Sequence, residues 1–165
     1  MTRHTDSARE RFASGVKAVR KLRGLSQEGL AERAGLNRTY VSGIERGSIN
    51  IRLDNIGKLA SALEVHAARF LGVVDGDKVS PVTCVDLRSE VARHVRKFRK
   101  SAGISQERLA EVAGFHRTYV GNVERGIANL SLDDLEALAS VLKVDPAQLL
   151  DDEGAVPDEG NGIDP

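Results

Sequence analysis

The stretch Leu36-Asn37-Arg38-Thr39-Tyr40-Val41 returns as Phe115-His116-Arg117-Thr118-Tyr119-Val120, 79 positions further along the chain. In both places Ser-Gln-Glu, Leu-Ala-Glu and Ala-Gly precede it, and Glu-Arg-Gly follows it. About 25 of the 46 positions in 26–71 carry the same residue in 105–150. A repeat at one constant offset indicates two copies of one structural unit.

Each copy is expected to fold as a small bundle of helices, because apolar residues recur at three- and four-residue spacing. The first copy predicts a helix from about Ala8 to near Gly24, one after Ser26, one after Asn37 to about Arg46, and two over 53–63 and 67–71. The second copy predicts helices over 85–100, 105–112, 117–125, 132–142 and 146–150. The expected fold is therefore all-α, with two tandem five-helix domains.

Domain boundaries follow from the repeat and from composition. Residues 1–7 are polar and expected to be disordered, and 8–72 form the first domain. The stretch 73–84 is expected to be a linker, because glycine and proline interrupt it and no helical period is present. Residues 85–150 form the second domain. The final stretch, 151–165, has six acidic residues and no basic one, so a disordered tail is expected.

The two copies differ in the residues that would cap their helices. Asn37 is a good cap for the third helix of the first copy, whereas its equivalent His116 is a poor one. Ser131, with Asp134 three residues on, should cap the fourth helix of the second copy, whereas Arg52 should not cap its counterpart. Loss of such a cap costs about 1 kcal/mol.

The net charge is zero, but the charge is distributed unevenly. Residues 1–72 hold 13 Lys and Arg against 7 Asp and Glu, whereas 85–150 hold 10 against 9. The first copy should therefore attract a polyanion more strongly. Asp133, Asp134 and Glu136 crowd the fourth helix of the second copy, which phosphates would repel and a basic partner surface would suit.

Several classes of function find no support in the sequence. No apolar run approaches a membrane span, and the first residues are too polar for a signal peptide, so a soluble cytoplasmic protein without membrane contact is expected. Cys84 is the single cysteine, and the four histidines lack metal-ligand spacing. No nucleophile elbow or phosphate loop is present. We therefore expect no enzyme activity, cofactor or metal.

A helix, a glycine turn and a second helix form the motif that enters the DNA major groove. Arg38 and Thr39 cannot both face the core and should project outward, where Arg reads guanine and Thr contacts bases. Ser42 lies one turn further on the same face. Tyr40 is open to two interpretations, contact with DNA or filling of the gap between helices. Arg46 should reach phosphate, or be only a cation at a helix end.

The second copy offers a related but different set of outward residues. The matching positions are Arg117, Thr118, Tyr119, Asn122 and, beyond the helix, Arg125. Asn122 stands where the first copy has glycine and is a candidate reader of adenine. The two copies should therefore read unlike half-sites.

Taken in this order, the repeated motifs resemble the lambda-repressor-like, XRE class of helix-turn-helix domains. The sequence of residues 37–47 is similar to that of the controller proteins of restriction-modification systems. The resemblance implies that Gln27 and Gln106 clamp phosphates, although either could be a solvated first-turn residue. It further implies dimerisation through the fourth and fifth helices, here 53–71 against 132–150, and two ion pairs, Arg20 with Glu45 and Arg99 with Glu124.

These observations predict a sequence-specific regulator of transcription that binds double-stranded DNA and controls its own operon. In the simplest arrangement the two domains act as an intramolecular pseudo-dimer on an imperfect palindrome. In a variant only the first copy binds DNA and the second makes a homodimer. A protein-interaction module, antitoxin-like, is the alternative of another class, and it would use the second copy and the acidic tail to bind a protein partner.

Overall fold

The computed structural model describes residues 6–72 and 86–151, in which every regular element is helical. The elements of the first half are α1 (Ala8–Leu22), α2 (Gln27–Ala34), α3 (Arg38–Glu45), α4 (Leu53–Leu63) and a 3₁₀ helix (Ala67–Leu71). Those of the second half are α5 (Leu87–Ser101), α6 (Gln106–Ala113), α7 (Tyr119–Glu124), α8 (Leu132–Leu142) and α9 (Pro146–Leu150). The expected all-α fold is confirmed.

Three expectations fall largely outside the described residues. They concern disorder at the start of the chain, a linker between the halves and a disordered acidic tail, and they lie on residues 1–5, 73–85 and 152–165. At the edge of the first stretch, Ser7 is described and caps α1. Its hydroxyl accepts from the Glu10 N–H, and the Glu10 carboxylate accepts from the Ser7 N–H at 2.9 Å.

The same serine and glycine positions shape the helix-turn-helix in both halves. Ser26 and Ser105 begin α2 and α6, because each hydroxyl accepts from the backbone N–H three residues later at 3.0 Å. Gly35 and Gly114 end these helices at φ of 65° and 79°, in the left-handed region that glycine adopts without strain. This turn leads α2 into α3 and α6 into α7.

The third helices differ in length. In the first half the Asn37 side chain caps α3, as expected. In the second half the expected start at residue 117 was wrong, because Arg117 and Thr118 lie in a turn and α7 begins two residues later. The physical reason is the poor cap: the His116 ring contacts the Thr118 hydroxyl at 2.9 Å, and Thr118, at the N-cap position, makes no side-chain cap bond.

The fourth helices begin in different ways, and the expected contrast between them is confirmed. Ser131 and Asp134 form a capping box at the start of α8. Arg52 makes no side-chain cap at the start of α4. The first N–H of α4, from Leu53, instead donates to the Leu130 carbonyl of the other half at 2.9 Å. The other half therefore satisfies a donor that would lack a partner within the helix.

The two halves meet with approximate two-fold symmetry. Arg52 and Ser131 form an antiparallel bridge, and the two residues are equivalents in the repeat. The hydrogen bond from Leu53 to Leu130 has a counterpart with the halves exchanged, from Leu132 to Ile51 at 2.8 Å. A residue that lies opposite its own equivalent marks a two-fold axis.

Side chains repeat this reciprocal pattern. Arg9 on α1 pairs with Asp133 on α8, and the equivalent Arg88 on α5 pairs with Asp54 on α4. The acids of α8 were expected to suit a basic partner surface. For Asp133, that surface is the first helix of the other half. Buried apolar residues of both halves form one continuous cluster.

None of the helices in the described ranges combines the length and apolarity needed to cross a bilayer.

Candidate nucleic-acid interface

The outer face of α3 has the exposure expected of a recognition helix. Arg38 and Thr39 are exposed, whereas Val41 and Ile44 are buried in the core, so the helix presents one face to solvent. Arg46, just beyond the helix end, is also exposed. Neither Arg38 nor Arg46 has a side-chain hydrogen bond or ion pair with another described residue. Both guanidiniums are therefore available to a polyanion.

A buried carboxylate fixes this helix to its neighbours. Arg20 of α1 donates to both oxygens of Glu45, with Nη2 3.0 Å from Oε2, and the Glu45 side chain is only 3% exposed. Gln27 of α2 donates to the same Oε2 at 2.9 Å. The second half repeats the arrangement with Arg99, Glu124 and Gln106. One ion pair and one amide thus hold three helices together in each half.

Burial alone would raise the pKa of Glu45. Hydrogen bonds from Arg20 and Gln27, together with the positive charges of Arg20 and Lys17, outweigh it and lower that pKa below its usual value. The pKa of Glu124 is lowered in the same way, against burial, by Arg99, Gln106 and Arg96. Both groups are therefore ionised in the folded protein at neutral pH.

The two glutamines that were expected to bind phosphates, Gln27 and Gln106, donate hydrogen bonds to these buried carboxylates. One N–H of the Gln27 amide is directed at Glu45, and one N–H of Gln106 is directed at Glu124. A primary amide has a second N–H, so each side chain can donate to a phosphate without leaving its carboxylate. Both residues are half-buried at the start of their helices, which favours fixed over solvated positions.

The tyrosine rings fill the gap between the third and fourth helices, one of the two roles considered for Tyr40. The Tyr40 hydroxyl lies 3.0 Å from Nδ2 of Asn55 on α4 and accepts from it. The Tyr119 hydroxyl donates to Asp134 of α8 at 3.0 Å. Burial, with the charge of Asp134, raises the pKa of Tyr119 to about 12. Only the Tyr40 hydroxyl therefore keeps its hydrogen for another acceptor.

Packing against a neighbouring side chain restricts which residue can stand at position 43 of the recognition helix. A Cβ on Gly43 would lie 2.5 Å from the Ile49 side chain, so any larger residue there requires Ile49 to shift. In the second half the position equivalent to Ile49 is Ala128, which removes that obstacle. Asn122 can therefore occupy the site that glycine takes in the first half.

The outer face of the second half is partly engaged within the half itself. Arg117 Nη2 lies 3.4 Å from Oε1 of Glu107, and both side chains are well exposed. Arg125 donates to the side-chain oxygen of Asn122 and to the Gly121 carbonyl. DNA would have to compete with these contacts at Arg117, Asn122 and Arg125, whereas Arg38 and Arg46 are already available.

Sequence reasoning missed the contacts by which three residues shape the interface. Asn55 and Asp134 position the tyrosine hydroxyls, and Glu107 pairs with Arg117. The first two had a detectable signal, since a hydrogen-bonding side chain follows each tyrosine at a separation of 15 residues in both copies. Glu107 had no such signal, because its partner Arg117 lies outside the recognition helix, whereas the equivalent arginine of the first half lies within it.

Comparison with known proteins supports the same interpretation. The helix-turn-helix family model matches residues 16–70 and again residues 95–149. Control protein C.SmaI of Serratia marcescens is 40% identical over 76 residues, which are 46% of this chain and 90% of that protein. Control protein C.BamHI of Bacillus amyloliquefaciens is 42% identical over 67 residues, 40% of this chain and 83% of that protein.

Among solved structures, the restriction-modification controller protein C.AhdI from Aeromonas hydrophila is 44% identical. The alignment covers 37% of this chain and 92% of that chain, with a TM-score of 0.36. Each of these relatives covers less than half of the chain. The chain belongs to the helix-turn-helix family of DNA-binding transcriptional regulators, in the XRE class, and carries the domain of that family twice.

Proposed function

We propose that one chain binds one imperfect palindrome, with α3 and α7 in successive major grooves on the same face of the duplex. The reciprocal joint carries this proposal, because contacts that repeat with the halves exchanged relate the two recognition helices by an approximate two-fold axis. A palindrome has the same symmetry, and its half-sites lie about 34 Å apart, one helical turn.

In the first half, Arg38 and Thr39 contact base edges and Ser42 supports them from the next turn. Arg38 makes a bidentate contact with guanine, which discriminates by roughly 1 to 3 kcal/mol. Arg46 and the second N–H of Gln27 bind phosphates on either side. Exposure of Arg38, Thr39 and Arg46 supports these roles, as does the basic charge of this half.

The second half reads a different sequence and binds it less strongly. Its candidate contacts are Gln106, Arg117, Thr118, Asn122 and Arg125, whereas the Tyr119 hydroxyl is engaged by Asp134. Contacts within the half engage Arg117 and Asn122, and α7 is two residues shorter than α3 at its start. We therefore expect one well-defined half-site and one weaker half-site.

The regulated promoter is that of the chain's own operon. This part of the proposal rests on the similarity to proteins named control proteins, each of which matches a single half. Joining two such units in one chain would remove the assembly step before DNA binding. Occupancy of the operator would then follow the concentration of chains directly.

Selection of bound duplexes from a random pool tests the proposal, followed by footprinting and by measurement of stoichiometry on the selected sequence. We expect one chain on two unlike half-sites one turn apart. Two chains on a symmetric site would assign reading to the first half and association to the second. Absence of any enriched sequence would contradict both arrangements.

A protein-interaction role would be the conclusion in that last case. The acids of α8 were the sequence feature that favoured it. Asp133 and Glu136 are instead engaged within the chain, by Arg9 and by the Ala8 N–H. A basic protein partner would have to compete with these contacts, so the helix favours the DNA-binding proposal.

A further inference from the structure

The joint between the halves contains two classes of contact. Contacts of the first class occur twice, with the halves exchanged, such as Arg9 with Asp133 and Arg88 with Asp54. A like pair, made of two first halves or two second halves, would form these contacts equally well. Such contacts hold the joint together but do not decide which halves meet.

Contacts of the second class differ between the two sides of the axis. On one side, Arg11 donates to both carboxylate oxygens of Asp145, at 2.9 and 3.1 Å, and its side chain is 11% exposed. At the equivalent positions on the other side stand Glu90 for Arg11 and His66 for Asp145. The acidic residue therefore lies on the first helix on one side and after the fourth helix on the other.

Glu90 and His66 belong to the joint as well. Glu90 is buried, with 8% exposure, and both residues line a cavity of about 620 Å³ beside α4 and α5. A further difference lies nearby. The Ala8 N–H donates to Oε1 of Glu136 at 2.8 Å, whereas Gly57 stands at the equivalent position on α4.

Like pairs would leave these positions mismatched. In a pair of second halves, Glu90 would face Asp145, which opposes a buried carboxylate and a part-exposed one. In a pair of first halves, Arg11 would face His66 and lose its bidentate acceptor, and the Ala8 N–H would face a glycine. Only an unlike pair gives Arg11 a bidentate carboxylate and the Ala8 N–H an acceptor while it keeps the carboxylates apart.

We propose that these positions make the joint selective for unlike halves, so that the partner this surface fits is a second half and not another first half. Chains then do not associate through like halves, and one chain presents one asymmetric pair of recognition helices. The inference concerns association alone and is tested without DNA, so its failure is distinguishable from failure of the proposed function.

The test uses the full chain with a protease recognition sequence inserted in 73–84. Cleavage of the purified protein is followed by dissociation of the fragments in urea and by removal of the urea, so that the halves can pair anew. Native mass spectrometry then separates the two like pairs and the unlike pair by mass. We expect like pairs to be at least ~10-fold rarer than in random assortment, in which about half of all pairs are unlike. Random assortment would overturn the proposal, and so would complete separation of the fragments, since a selective joint must first hold.

A double substitution, His66→Asp with Glu90→Arg, tests whether the residues at these two positions cause the selectivity for unlike halves. It copies the arrangement of Arg11 and Asp145 onto the opposite side, so both sides then suit like pairs. We expect unchanged helical content by circular dichroism and a several-fold rise of like pairs. Retention of unlike pairs alone would overturn the assignment.

A matched control removes contacts that are common to both sides. Substitution of Arg9 and Arg88 by alanine should weaken every pair without a change in the proportions of like and unlike pairs. A rise of like pairs in this variant would overturn the division of the joint into two classes.

Discussion

Glu45 connects three helices through one carboxylate, with Arg20 from α1 and Gln27 from α2. An ion pair on the surface contributes little to stability, but the Glu45 side chain is only 3% exposed. Removal of its cation, Arg20, would therefore leave a buried charge with one amide donor. At the scale of the residue, the position of the recognition helix therefore depends on a buried charge.

Arg20→Met should lower the free energy of unfolding by about 3 kcal/mol, because it leaves the buried Glu45 carboxylate without its positively charged partner. Urea unfolding followed by circular dichroism measures this. Arg108→Met is the matched control, since Arg108 and its partner Glu111 are 61% and 71% exposed and the change should stay within about 0.5 kcal/mol. Equal effects of the two substitutions would contradict the assignment.

Acid should destabilise the protein partly through Glu45 and Glu124. The pKa of each is lower in the folded protein than the ordinary value of 4.5, so their stabilisation is complete above that value and is lost as pH falls through the lowered pKa. The urea midpoint measured from about pH 7 to about pH 3 should fall less steeply in the Glu45→Gln, Glu124→Gln double variant. Identical slopes would be incompatible with lowered pKa values.

Base contacts and phosphate contacts should separate in a binding series. Arg38→Ala should relax specificity at one half-site by roughly 1 to 3 kcal/mol, because a bidentate guanine contact is lost. Gln27→Ala should weaken binding to all duplexes alike, because phosphates do not encode sequence. Arg117→Ala should cost less than Arg38→Ala, since Arg117 already lies near Glu107. Competition titrations with single-base operator variants measure all three, and the reverse pattern would reject these roles.

At the scale of the element, one residue accounts for the difference between α3 and α7. Asn37 supplies a side-chain oxygen to the Tyr40 N–H at 2.7 Å, and α3 begins at residue 38. His116 supplies no such cap, and α7 begins only at residue 119. The shorter helix leaves Arg117 and Thr118 in a turn, so the second half presents these side chains from a different backbone.

His116→Asn should restore the cap, extend α7 and raise the free energy of unfolding by about 1 kcal/mol. The reciprocal change, Asn37→His, should shorten α3 and lower stability by about the same amount. Chemical denaturation of both variants provides the comparison. If stability responded to Asn37→His but not to His116→Asn, something other than the cap would set the length of α7.

Local signals made most elements predictable, and the resemblance implied the ion pairs of Arg20 and Arg99, whereas the individual contacts between the halves were not predicted. Ser26, Gly35 and Ser131 act through atoms within a few residues of themselves, so their roles follow from the sequence. The turn at Arg117 escaped prediction because a poor cap shortens a helix by an amount that depends on its packing. The pairing of Arg11 with Asp145 spans 134 residues and depends on which faces of the two halves meet.

At the scale of the whole molecule, the reciprocal joint should make the two recognition helices a fixed pair. The main-chain bridge at Arg52 and Ser131 lies on the axis, and the ion pairs of Arg9 and Arg88 flank it on both sides. Apolar side chains of both halves share one buried cluster. Relative rotation of the halves would break all three kinds of contact together.

Insertion of about five base pairs between the half-sites of the selected operator turns them about half a turn apart, while the joint keeps α3 and α7 in place. Affinity should fall roughly 100-fold, towards that of a duplex with the first half-site alone, because simultaneous engagement is lost. Fluorescence anisotropy titrations measure this, with the same insertion placed outside the half-sites as the control. Halves that moved independently would bind the lengthened operator as tightly as the original. That result would contradict the fixed pair even if both recognition helices read DNA.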